Sequence, residues 1–221
     1  MTEQTDRILR LGARIRAACE AAGREISTVE LLPISKRQPL ERIREAAEHG
    51  FARFGENYVQ EGAAKAQAAP HLAFVLTGPL QRNKAKTALQ HFREVMTLDR
   101  PELATRLRSL AAELDVICPV WIQLDLWNEA TKLGGCPEAG LDPLIQALGH
   151  DPRLPLQGFM VLPPPGDSQA FAAAALARAR WQDRLGQPLR LSMGMSDDLE
   201  EAIQAGSDQV RIGTDFFGSR I

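Results

Sequence analysis

Short unbroken apolar runs alternate along this chain with longer stretches whose apolar residues recur at helical spacing. Unbroken runs are how strands of a parallel sheet read, because both faces are covered, while recurrence at i, i+3 and i+4 marks the amphipathic helices between them. From about Thr5 to Ala22, residues Ile8, Leu11, Ile15, Ala18 and Cys19 share one face and Gly23 stops the segment, so a helix opens the chain. The first strand is the run from Val29 to Ser35, which ends abruptly in Lys36. Pro39 then starts a helix striped by Leu40, Ile43, Ala46 and Ala47 and ended by His49-Gly50. A strand around Phe51 to Phe54, a helix to about Gln67, a strand from Leu72 to Thr77 and a helix from Gln81 to about Phe92 follow. Glu94 to Leu98 is a strand, and Pro101 starts a helix carrying Leu103, Leu107, Leu110 and Leu114.

The alternation continues through the second half. Val116 to Leu126 is β-prone with Pro119 near its start, and a polar loop runs from Trp127 to Gly140. Leu141 to Leu148 reads as helix, Leu156 to Leu162 as strand before the turn Pro163 to Gly166, and Ser168 to Leu185 as an alanine-rich helix stopped by Gly186. Leu189 to Met193, a helix from about Asp197 to Ala205, and Gln209 to Ile212 complete roughly eight alternations of about 25 residues each. The expected fold is α/β: a single TIM-like (β/α)8 barrel, one domain over residues 1–221, with an extra N-terminal helix. Alternation alone does not say whether the sheet closes, so a doubly wound open sheet is the alternative.

Composition narrows the partners. A net charge of −2 gives no basic field for nucleic acid or an anionic membrane. Cys19, Cys118 and Cys136 lack the spacing of a zinc site or a disulfide framework and read as thiols in a reducing cytoplasm. The acidic start Met1 to Asp6 has no apolar signal core and no window has the length of a membrane span, so a cytosolic protein is expected.

In a barrel, the residues just after each strand meet at one face. Here they are Lys36, Asn57, Gly78, Asp99, Gln123, Asp125, Met160, Ser192, Ser196, Arg211 and Gly213. A strand-end lysine desolvated by barrel walls has a lowered pKa and suits Schiff-base chemistry. Barrels often hold phosphate with the loops after strands seven and eight, here Ser192 to Asp198 and Arg211 to Thr214. Ser196 is suited to cap the following helix and present donors to an anion, and Gly213 lets backbone approach a ligand closely. A lysine plus two anion-suited loops calls for a phosphorylated carbonyl ligand, and pyridoxal 5′-phosphate (PLP) fits both halves.

Five motifs then carry a resemblance over nearly the whole chain: Ile34-Ser35-Lys36, Phe54 to Glu61 (FGENYVQE), Thr77 to Lys84 (TGPLQRNK), Ser192 to Asp198 (SMGMSDD), and Val210 to Thr214 with Phe217-Gly218. In this order they resemble the pyridoxal-phosphate homeostasis proteins of the YggS/PROSC type, whose barrel looks like the N-terminal domain of alanine racemase. The resemblance implies a single barrel holding PLP as an internal aldimine on Lys36. It implies a phosphate cradle of Ser196, Gly213 and Thr214, and an arginine, Arg211, facing the pyridine nitrogen. Asn57 resembles a residue near the ring, and Ser192 and Met193 are similar to the pocket wall after strand seven. Arg211 only donates, so the facing nitrogen stays unprotonated and the ring is a weakened electron sink. Racemases of this barrel type are implied to work under the same constraint by adding a tyrosine base from a second domain and the partner subunit; this sequence ends at Ile221 and its only tyrosine, Tyr58, is expected to pack rather than catalyse. Val75 and Asp125 depart from the family's usual histidine and asparagine, whereas Glu129, Lys132 and Gly134 match its loop after strand five.

Three functions compete. The first is PLP binding for vitamin B6 homeostasis by a monomer without catalytic residues, with PLP and, transiently, apo PLP-dependent enzymes as partners and no metal. The second is an amino-acid racemase. The third is a cofactor-free enzyme of phosphorylated metabolites using Lys36 with Asp125 or Asp99. Lys132, Lys84 and Lys86 could receive cofactor transiently, but each is expected to be a solvated surface lysine.

Overall fold

A computed structural model describes residues 2–127, 134–164 and 166–218. Its strands are β1 (Glu30–Pro33), β2 (Arg53–Glu56), β3 (Ala73–Leu76), β4 (Glu94–Leu98), β5 (Val120–Asp125), β6 (Leu156–Val161), β7 (Arg190–Ser192) and β8 (Gln209–Ile212). Each pairs in parallel with the next from β2 to β8, and β8 pairs with β1. The ring closes between β1 and β2 through one bridge, Ile34 against Gly55, with the Ser35 N–H donating to Gly55 O at 2.8 Å. The sheet is therefore a barrel, and the open doubly wound arrangement is excluded.

The helices are α1 (Glu3–Ala21), α2 (Leu40–Glu48), α3 (Val59–Ala68), α4 (Ala85–His91), α5 (Pro101–Leu114), α6 (Leu141–Leu148), α7 (Ser168–Leu185), α8 (Leu199–Gln204) and α9 (Thr214–Phe217). Helix α1 starts two residues before the expected Thr5 because the Thr2 side chain accepts the Thr5 N–H and caps it. Its buried Leu11, Ile15, Ala18 and Cys19 lay it against α8 and α9. Helix α7 is capped by Asp167, which accepts the Gln169 N–H at 3.0 Å, and it stops at Gly186 in the left-handed region.

Alternation across the strands produces two cores. Outward residues pack under the helices, while Leu32, Ile34, Val75, Met96, Trp121 and Met160 fill the barrel interior. Charged residues at the strand starts plug the N-terminal end. Arg53 pairs with Glu30 and Glu94, and Trp121 Nε1 donates to Glu94 at 2.5 Å. Arg190 donates to Glu30 at 2.9 Å and lies over the Trp121 ring. That closure leaves the C-terminal mouth for a ligand.

Some boundaries differ from the sequence pattern. Strand β2 lies two residues later than expected, β5 begins only after Pro119, and Arg82–Lys84 is a separate 3₁₀ turn before α4. The polar loop contains a short strand, Cys136–Pro137, paired with Leu124 and Asp125. Glu129 and Lys132 lie outside the described residues. No helix among the described residues is long and apolar enough to cross a membrane.

Candidate functional site

The C-terminal mouth holds a cavity of about 560 Å3 that brings together Lys36, Asn57, Ser196, Arg211, Gly213 and Thr214. Ile34, Thr77, Met160, Leu162, Met195, Asp197 and Asp215 complete the wall. Thr77 and Leu162 end the expected strand stretches, so the strand-end rule reaches them; Met195 and Asp197 lie within the anion-suited loop Ser192 to Asp198 without being singled out there, and Asp215 directly follows the other.

Lys36 is held from both sides. The Ile34 N–H donates to Ile212 O at 2.8 Å, which keeps the chain pinned to β8 after β1 ends. Ser35 Oγ donates to Glu56 at 2.6 Å, and Lys65 Nζ donates to Ser35 O, Glu56 and Glu61 at 2.7, 2.6 and 2.7 Å. Glu61 also accepts the Arg37 N–H at 2.5 Å. Burial raises the Glu56 carboxyl above the usual range, against the opposing pull of Lys65 and Ser35.

Asn57 is placed by β3. Its Oδ1 accepts from Thr77 Oγ1 at 3.2 Å, and a Cβ on Gly78 would collide with the Asn57 carbonyl, so only glycine lets the end of β3 pass this close.

Arg211 is buried inside the barrel and donates to Ser192 Oγ at 2.7 Å and Val161 O at 2.8 Å. Burial pulls its guanidinium down to about 10, which leaves it cationic at neutral pH. Ser192 therefore stands behind Arg211 rather than on the cavity wall. Met193 does not reach the cavity at all: Ser192 is in register with inward-facing Met160, so the next side chain points outward, and Met193 is fully buried in the strand–helix core.

Two loops supply donors. The N–H groups of Ser196, Asp197, Gly213 and Thr214 donate to no other described residue. Ser196 is not the helix cap expected from the sequence; Asp198 holds that position, and its carboxylate accepts the Met195 N–H at 2.5 Å. Gly213 has φ −107°, and a Cβ there would meet only Ile34 at 3.6 and 3.7 Å. The fold itself does not require glycine at this position, whereas a ligand lying against the backbone would.

The remaining candidates stand elsewhere. Asp99 pairs with Arg100 at 2.5 Å, and Asp125 accepts the Trp127 N–H at 3.1 Å; neither lines the cavity. Tyr58 is exposed beneath the Arg37 guanidinium, whose Nη2 donates to its hydroxyl at 3.3 Å, rather than packed as expected. Lys84 reaches Gln60 at 3.1 Å and Lys86 reaches Glu113 at 2.7 Å on the outer surface.

The family described as alanine racemase, N-terminal domain, matches residues 10–221. The pyridoxal phosphate homeostasis protein of Pseudomonas aeruginosa is 40% identical over 100% of this chain and 97% of its own length. The pyridoxal phosphate homeostasis protein of Escherichia coli strain K12 is 41% identical over 94% of this chain and 92% of its own. The chain belongs to the pyridoxal phosphate homeostasis protein family. Among solved structures, PipY of Synechococcus elongatus PCC7942 with PLP bound is 35% identical, with a TM-score of 0.80 over 86% of this chain and 93% of that one. Alanine racemase of Clostridium difficile 630, 14% identical with a TM-score of 0.76 over 96% of this chain and 59% of that one, shares the fold.

Proposed function

We propose that this chain binds PLP at the C-terminal mouth of its barrel and serves in the cell's handling of that cofactor. The observation that carries the reading is convergence: an amine from the end of β1 and donors from the loops after β7 and β8 that have no partner among the described residues meet in one cavity of about 560 Å3. The residues present fit a phosphorylated aldehyde. Lys36 supplies the amine that condenses with the aldehyde carbon, forming a C=N bond and releasing one water. Ser196 with the N–H groups of Gly213 and Thr214 holds the phosphate, and the bare Gly213 backbone leaves room for it. Arg211, backed by Ser192, meets the pyridine nitrogen and keeps it unprotonated, Asn57 sits beside the ring, and Met193 supports the wall from behind.

Holding fits better than catalysis. The ionisable side chains lining the cavity among the described residues are Lys36, Asp197, Arg211 and Asp215, and Tyr58 lies outside it. An arginine-facing ring is a weak electron sink, and storage or release to apo-enzymes asks for neither a strong sink nor a second base. Purified protein should develop visible absorbance with PLP, lose it on borohydride reduction and carry the added mass on the Lys36 peptide; Lys36→Ala should do none of these. Protein that stays colourless with PLP sinks the reading. Racemisation of free amino acids would put an enzyme in its place, and transfer to an apo-enzyme at the rate of free PLP by both wild type and Lys36→Ala would remove delivery.

A further inference from the structure

Arg14 lies on α1, outside the barrel, yet it reaches both loops of the proposed phosphate cradle. Its Nε and Nη2 donate to the two carboxylate oxygens of Glu200 at 2.8 and 3.0 Å. Nη1 donates to Asp215 at 2.9 Å, and Nη2 also donates to the Ser196 carbonyl at 2.9 Å. One guanidinium thus joins the loop after β7, helix α8 and the first turn of α9. We propose that Arg14 is a positioning residue for the phosphate group of PLP, an inference that rests on the function proposed above.

Three arguments support it. The first is orientation: in a trans peptide the C=O and the following N–H point in opposite directions, and no peptide among the described residues is cis. Holding the Ser196 carbonyl towards α1 therefore aims the N–H of Asp197, a residue that lines the cavity, away from α1. The second is charge. A phosphate in this cavity would meet the carboxylates of Asp197 and Asp215, and the Arg14 ion pair offsets the second of them. The third is support: α8 and α9, with 6 and 4 residues, have little stability of their own, whereas α1 has 19.

A mere surface ion pair is a poor account of the same contacts. The side chains of Arg14, Glu200 and Asp215 are all more than a third exposed, and such pairs add little to stability. Two of the partners, the Ser196 carbonyl and Asp215, lie on the cradle segments, and Glu200 lies in the helix that follows the first of them. The planar arginine fork makes four donations from three nitrogens, two of them to the two oxygens of one carboxylate, whereas a lysine ammonium has three donors on a single nitrogen.

The test compares PLP with pyridoxal, which has the aldehyde and ring but no phosphate, by titrating the visible absorbance of wild type, Arg14→Ala and Arg14→Lys. The expected result is an affinity loss of about tenfold for PLP in Arg14→Ala, the scale of one charge-assisted hydrogen bond, with pyridoxal changed by less than about twofold. Arg14→Lys, which keeps the charge near Asp215 and loses the fork, should fall between Arg14→Ala and wild type for PLP alone. Equal losses for the two aldehydes, or no loss for either, would overturn the role. If Arg14→Ala does not fold, the same comparison in Arg14→Lys decides. Wild type that gives no absorbance with PLP sinks the functional reading itself and the role of Arg14 with it, and is told apart from the other outcomes by needing no variant.

Discussion

Arg211 Nη1 donates to the Ser192 hydroxyl at 2.7 Å, and that hydroxyl donates in turn to Gln209 Oε1 at 2.9 Å. A guanidinium has no acceptor, so the serine can only accept from Arg211 and pass its own proton on, which fixes the direction of the chain. All three residues are buried. Ser192→Ala would leave a buried cationic donor and a buried amide oxygen without this partner, at a cost of about 1–3 kcal/mol. Urea unfolding should read that loss, with Ser192→Thr retaining part of the stability. An alanine variant as stable as wild type would mean that Arg211 has another partner within reach.

Gly213 offers a cleaner separation of fold from ligand. Its backbone lies in the right-handed region and an added Cβ meets Ile34 only at ordinary contact distance, so Gly213→Ala should leave the melting temperature of the free protein nearly unchanged. In the proposed cradle the same methyl stands against the phosphate, and PLP affinity should fall by at least about tenfold, or about 1.4 kcal/mol. Spectroscopic titration checks the second number and calorimetry the first. A variant that binds PLP as wild type does would place the phosphate away from Gly213.

The three thiols should be silent in the folded protein. Burial pushes Cys118 up to about 12 and Cys136 to about 11, and raises Cys19 as well. Reaction needs the thiolate and access, and all three are buried. An Ellman titration at pH 8 should find no fast-reacting thiol in native protein and 3 per chain after unfolding in urea. A thiol that reacts at once in native protein would count against this burial.

How far these features could be read from sequence follows from how local their causes are. Strand β4, helices α6 and α7, and strand β8 fall where the apolar pattern puts them, because periodicity and caps set them from within a few residues. Strand β2 lies two residues later because Gly55, which reads as punctuation, is inside the strand, at a place where any side chain would strike Ile34. The strand-end lysine and the two anion-suited loops were legible because the barrel topology gathers strand ends wherever they lie in the chain. The motif alone puts Met193 on the wall, because a motif does not state which way each side chain faces, and the structure buries it in the strand–helix core. Arg14 carried no signal at all: its partners are 182 to 201 residues away, and nothing in α1 distinguishes it from Arg7 or Arg10.

Glu56 gives a pH test of the support behind Lys36. Its carboxyl is fully buried, burial is the largest influence on it, and Oε2 has no hydrogen-bond partner among the described residues. A native pKa above the unfolded value means that the folded protein holds the proton more tightly. The contribution of this group to stability is then greatest below about 4.5, declines as pH rises from there to the raised native value, and is level above it. Glu56→Gln has no such proton to lose, while other carboxyls cancel when the two proteins are compared. The stability of wild type minus that of Glu56→Gln should therefore shrink as pH increases through this window. Urea midpoints at a series of pH values measure the difference. A difference that grows with pH would mean that the Lys65 pair outweighs burial and lowers rather than raises the Glu56 carboxyl.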